Sequence, residues 1–181
     1  MDTSEVLDFW FKEMPPERRF RTDLALDAAI KARFEPLWRD ALAGGLGPWE
    51  GDAPGALALI VLTDQFPRNM FRGMPEAFAT DAFARSTAAR AIDKGFDLQV
   101  SPEAQPFFYL PLMHSENLAD QDRCVALTRE RLGEAHYSYA YAVRHRDAVR
   151  RFGRFPARNK ALSRENTPEE TAFLSANPAG F

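Results

Sequence analysis

At 181 residues the chain is shorter than the roughly 250 beyond which single cores stop growing, so one domain over residues 1–181 is expected. Hydrophobic types make up 45% and charged types 27%, with 15 Phe and 3 Trp; this excludes a disordered chain and supplies a core without staples. A net charge of −3 exerts no global pull toward nucleic acid, and the lone Cys124 excludes an internal disulfide or a paired-thiol metal site.

The first helix is predicted to start at Asp2–Ser4, to carry Val6, Leu7, Phe9, Trp10 and Phe11, and to end before Pro15-Pro16. A longer one begins at about Thr22. Its apolar residues Ile30, Phe34, Leu37, Trp38 and Ala41 recur at helical spacing. Pro36 should kink this helix without ending it, and Gly44-Gly45 should close it. Residues 54–65 read as a buried helix, because Leu57, Ile60 and Val61 make it apolar almost all round. Another helix covers residues 80–94 and stops at Gly95.

Ser101-Pro102-Glu103 is a start signal, so a helix carrying residues 107–113 should follow. Residues 118–132 and 134–152 form two more, stopped by Gly133 and Gly153. Thr167-Pro168-Glu169-Glu170 reads as a capping box opening a short last helix. No segment alternates with period two between hairpin turns, so the class is all-α, with roughly seven or eight helices packed as antiparallel pairs.

The N-terminal Asp2 and Glu5 stand where a signal peptide carries positive charge. The longest apolar runs, 56–62 and 107–113, have seven residues each, against about twenty for a bilayer span. A cytoplasmic protein, neither spanning nor anchored to a membrane, is the expectation.

Four segments stand out in order: Leu62-Thr63-Asp64-Gln65-Phe66-Pro67-Arg68-Asn69-Met70-Phe71-Arg72-Gly73, Phe108-Tyr109-Leu110-Pro111-Leu112-Met113-His114-Ser115-Glu116, His145-Arg146-Asp147, and Arg151-Phe152-Gly153-Arg154-Phe155-Pro156-Ala157-Arg158-Asn159. With Val6-Leu7-Asp8-Phe9-Trp10 and Pro178-Ala179-Gly180-Phe181, they make the chain resemble the bacterial domain-of-unknown-function family numbered nine-two-four. The resemblance implies a tetratricopeptide-like, right-handed superhelical array and implies no activity, substrate or partner. Read from the residues alone, the tetratricopeptide period of about 34 residues and its signature are absent. The echo between Gln65-Phe66-Pro67-Arg68-Asn69 and Arg154-Phe155-Pro156-Ala157-Arg158-Asn159 reads as two similar helix-ending turns.

In the first segment Asp64 shares a helix face with Leu57, Ile60 and Val61, where a carboxylate needs a partner. Arg68 and Arg72 are the nearby cations. Pro67 biases Phe66 away from helix, so Arg68 and Asn69 should lie just past a helix end. The group of Asp64, Gln65, Arg68 and Asn69 is then either one wall of a polar pocket or a buried tie fixing the turn.

His114 lies seven residues after Phe107 and four after Leu110, facing the core, while Glu116 faces elsewhere; from a regular helix the two cannot share a metal. His145 lies on a stripe with Tyr141, Ala148 and Phe152. Asp147 should pair with Arg151 at i, i+4. The His-Arg-Asp string resembles a kinase catalytic loop, but Phe152 stands where that loop needs Asn.

From Arg144 to Arg164 the cations are Arg144, Arg146, Arg150, Arg151, Arg154, Arg158, Lys160 and Arg164, against Asp147 alone. Guanidinium suits bidentate capture of carboxylate or phosphate. This run is either an anion site or a solvated basic face.

Two functions follow. The first is a binding module whose groove, lined by Asp64, Gln65, Arg68, Asn69, His114, Glu116, His145, Asp147, Arg151, Arg154, Arg158 and Asn159, takes an anionic small molecule or acidic peptide. The second is a metal-assisted hydrolase using His114, His145, Asp147 and Asp64. Arg146 between His145 and Asp147 opposes a divalent cation, so neither metal nor other cofactor is expected. A nucleic-acid partner is not expected either, since no recognised binding motif accompanies the charge.

Overall fold

A computed structural model describes residues 2–177, and among them there is no strand: the chain is all-helical. It divides into two compact units. One comprises the residues up to Arg72 together with Glu76–Pro111, the other Gly73–Pro75 and the chain from Leu112 onward.

In the first unit, helix α1 (Thr3–Asp8) starts where Asp2 accepts the Glu5 N–H, and continues as a π-helical turn over Phe9–Glu13. Asp23 caps α2 (Leu24–Leu42), which runs through Pro36 and buries Ile30, Phe34, Leu37, Trp38 and Ala41, the stripe read from spacing. A positive φ of 84° at Gly44 then ends it, a conformation glycine adopts without penalty. Helix α3 (Ala53–Ile60), capped by Asp52, packs against α1 and α5 (Asp81–Asp93). Between α3 and α5 come a π-helical turn, Val61–Gln65, and the short α4 (Phe66–Met70), which packs on α2.

Aromatic rings knit these pieces. Phe34 lies 5.0 Å from Phe9 and 4.6 Å from Phe66, and Trp10 lies 5.6 Å from Phe66 and 6.0 Å from Phe107. Such pairs add about 0.5–1.5 kcal/mol each beyond their buried area. The buried Thr80 hydroxyl donates to the Thr63 carbonyl at 2.6 Å and accepts from Trp38 Nε1 at 3.1 Å, tying the start of α5 to the π turn and α2.

Two expectations fail here. Pro67 does not turn the chain: Phe66 is helical (φ −60°, ψ −38°), and Arg68 and Asn69 lie within α4. In the wider π turn the Phe66 N–H reaches the Val61 carbonyl. Pro67 then occupies the first turn of a new helix, where it has no intrahelical donor to lose. The single helix expected after Ser101 is also absent. Residues Gln105–Phe108 form a 3₁₀ turn and α6 (Leu110–Met113) is one turn long. Pro106 and Pro111 remove two N–H donors five residues apart, so no uninterrupted ladder can form.

In the second unit, Asn117 caps α7 (Leu118–Arg131), and the His136 ring caps α8 (Tyr137–Phe152), so α8 starts later than residue 134. Contact between Asp122, early in α7, and Arg150, late in α8, shows the two run antiparallel. The Gln121 amide is fully buried and donates to the Met113 and Ser115 carbonyls, both at 2.6 Å, fastening the segment before α7. A 3₁₀ turn at Pro156–Arg158 follows Gly153, and the capping box at Thr167 opens α9 (Pro168–Ala176). Among the described residues no helix is long and apolar enough to cross a membrane.

Candidate functional site

Asp64, Gln65, Arg68 and Asn69 belong to the first unit; His114, Glu116, His145, Asp147, Arg151, Arg154, Arg158 and Asn159 belong to the second.

In the first unit Asp64 is fully buried on the π turn. It accepts from Gln65 Nε2 at 2.5 Å and faces Arg68 Nη2 at 3.4 Å. Arg68 also reaches Asp81 through Nη1 at 3.0 Å and Nη2 at 3.2 Å. Arg72 serves a different carboxylate: Asp27, on α2, takes Arg72 Nε and Nη2 at 2.9 and 3.0 Å and Asn69 Nδ2 at 2.9 Å. The arrangement ties α4 to α2 and α5 by charge-assisted bonds. Asp27 was readable: it precedes Ile30 by three residues and Phe34 by seven, so it lies on the buried stripe of α2 and needed a partner.

In the second unit the expected Asp147–Arg151 pair is replaced. Asp147 is exposed and takes Arg146 at 3.1 Å and Arg150 at 3.8 Å, while Arg151 turns to Glu169 of α9 at 2.8 Å. Arg154 binds Glu170 in a two-point pair, Nε at 2.7 Å and Nη2 at 2.8 Å. Glu116 takes Arg164 Nη1 and Nη2 at 2.7 and 2.9 Å and the Phe155 N–H at 2.8 Å. Burial opposes charge on Glu116, but Arg164 and the Phe155 N–H outweigh it and hold the carboxyl below its ordinary value. Asn159, 1% exposed, donates to Asn166 Oδ1 and Glu170 Oε2 and accepts from Arg164 Nε. The basic run 144–164 is thus answered largely by acids outside it: Glu116, Asp122, Glu169 and Glu170. Glu170 and Arg164 were missed as site residues; the capping box already marked Glu170 as a carboxylate with a fixed place.

Three members of the expected group converge. His114, just after α6, and His145, on α8, bring their rings to 6.4 Å. Arg158 Nη2 donates to the His114 carbonyl at 2.8 Å, and its guanidinium lies over the Phe155 ring at 4.8 Å. His145 meets the same Phe155 ring edge-on at 5.5 Å, with Nδ1 2.8 Å from the Tyr141 carbonyl. Burial first, and then the charges of His114, Arg158 and Arg144, push His145 down to about 4, so it is neutral at pH 7. The arrangement can present a neutral imidazole and a guanidinium to an oxyanion.

No group of three or more His, Cys, Asp or Glu among the described residues can hold a metal ion. The hydrolase reading is not supported: no such group includes its residues, and the Asp147 carboxylate pairs with Arg146 and Arg150. Cys124 is fully buried, and burial pushes its thiol up to about 12, so it packs and does not attack.

A family of bacterial proteins of unknown function, DUF924, matches residues 6–178. The chain belongs to that family. A solved structure of another protein of unknown function, ATU0120 from Agrobacterium tumefaciens, is 42% identical; the match covers 95% of this chain and 96% of that one with a TM-score of 0.89. No curated protein matches. The shared architecture of this DUF924 chain and the Agrobacterium protein therefore spans nearly their whole lengths and carries no assigned chemistry.

Proposed function

We propose that this DUF924 chain is a binding module whose second unit takes an oxyanion at His114, His145 and Arg158. The ligand class is an anionic small molecule or the acidic end of a peptide. One observation carries the reading: the His145 ring and the Arg158 guanidinium meet on a single aromatic ring, Phe155, with the His114 ring 6.4 Å from His145. Burial first, and then His114, Arg158 and Arg144, push His145 toward the neutral form, and a bound anion offsets the part that is like-charge repulsion. Glu116, Arg151, Arg154 and Asn159 hold this corner in place through their ties to Arg164 and α9. The tetratricopeptide-like array belongs to the same proposal, supported by the antiparallel α7–α8 hairpin, the element such arrays repeat.

The test is thermal. Phosphate, sulfate or a polycarboxylate should raise Tm above chloride at matched ionic strength, which controls for screening. Ligand at a hundred times its Kd adds about 2.7 kcal/mol to the folded state. Arg158→Ala should abolish the anion-specific shift, and Arg158→Lys should lose much of it, because an ammonium is a point charge without the guanidinium's planar fork. A wild type that responds to these anions no more than to chloride refutes the proposal.

A further inference from the structure

Helix α9 has nine residues, too few to be stable alone, since isolated helices below about 12–15 residues are marginal in water. It persists because it is docked, and the docking is unusual in kind. The one buried residue of α9 is a carboxylate, Glu170, at 2% exposed. Phe173 and Leu174 are only half-buried, and Phe173 meets Phe152 at 5.0 Å.

The receptor for Glu170 lies outside α9. Arg154 grips both oxygens, at 2.7 and 2.8 Å, and Asn159 Nδ2 adds a bond at 3.3 Å. Arg154 Nη2 also holds the Glu165 carbonyl at 2.8 Å, and Arg151 takes the neighbouring Glu169. Asn159 is kept in register by Arg164, which Glu116 anchors.

We propose that the end of α8 and the turn after it, carrying Arg151, Arg154 and Asn159, are a docking site for an acidic helix start of the Thr-Pro-Glu-Glu type, occupied in cis by α9 as a removable strap. The arginines of these contacts keep 28% (Arg154) and 54% (Arg151) of their side-chain surface, so water and competing carboxylates reach them as they do not reach an apolar core. The partner this surface fits is a helix whose first turn carries a buried-ready glutamate after a capping threonine. The contacts it would make are those α9 makes now.

The experiment uses the full chain and a fluorescein-labelled peptide with the sequence of residues 165–177. Glu170→Gln leaves the strap without its two-point grip, so the variant should bind the peptide saturably by anisotropy. The wild type, with its site filled in cis, should bind at least about tenfold more weakly, since an intramolecular ligand competes at high effective concentration. Adding Arg154→Ala to Glu170→Gln should abolish binding, and so should Glu→Gln at the same position in the peptide. No saturable binding to Glu170→Gln, or equal binding to wild type, overturns the proposal. Amide exchange on the wild type gives a second arm that needs no variant. Amides of α9 should exchange by local opening at least roughly 100-fold faster than buried amides of α8. Equal protection in the two helices overturns it too. These readouts follow α9 and not the anion-specific Tm shift, so this proposal and the His114–His145–Arg158 site fail separately.

Discussion

Removing the Asp27 carboxylate is the most direct test of the tie that organises the first unit. Asp27 is 8% exposed and accepts three hydrogen bonds, two from Arg72 and one from Asn69. Asp27→Ala strands the Asn69 amide, which is 6% exposed. A buried polar group stripped of its partner costs about 1–3 kcal/mol. The Arg72 contribution is smaller, because that side chain keeps 39% of its surface and can turn to water, leaving about 1 kcal/mol. The expected loss is about 2–4 kcal/mol, which for a chain of this length lowers Tm by on the order of 4–16 °C. Urea unfolding should show a lower midpoint with an unchanged slope. In a cycle with Arg72→Ala, the double variant should be less damaged than the sum of the singles by about 1 kcal/mol. A loss within about 0.5 kcal/mol of wild type, or strict additivity of the two substitutions, would refute the reasoning.

Three other outcomes are expected. Gly55→Ala places a Cβ 2.2 Å from the Trp49 carbonyl oxygen and 2.9 Å from the Asp52 cap. It should destabilise by about 1–3 kcal/mol despite alanine's better helix propensity, and an unchanged or raised melting temperature contradicts it. His145 should titrate by NMR near 4, below its ordinary 6.5. The unfolded chain then takes up that proton first, so this group's share of stability is intact above about 6.5 and is lost as pH falls toward 4; a midpoint above 6.5 removes the electrostatic basis of the anion site. Cys124, buried and with its thiol raised to about 12, should resist thiol reagents in native buffer and react fully in denaturant. Modification of the native protein at a free-cysteine rate would show that α7 is not packed as described.

Much of the helical frame was legible because its signals are local. Asp2 and Thr167 cap helices through bonds to the N–H three residues on, and Gly95 and Gly153 stop theirs with φ near 70°. Such interactions span less than one turn, so residue type and spacing determine them. The stripe of α2 was equally legible, since burial of one face imposes the helical period. Local rules failed where the surroundings changed the local geometry. Pro67 would have turned an ordinary helix, but the π turn before it moved the chain into a fresh first turn.

Beyond local pairs such as Asp64–Arg68, charge partnership was decided by the tertiary structure. Arg72 and Asp27 lie 45 residues apart, Arg164 and Glu116 48, and Arg154 and Glu170 16. A carboxylate's preference for guanidinium is the same at any separation, so composition announced that the arginines from 144 to 164 needed acids without saying which. Folding made the choice by placing Glu116 and α9 beside them, because a half-buried charge is tolerated only where a partner arrives with it. It also brought His114 to His145 across 31 residues of chain, a juxtaposition that no spacing rule encodes.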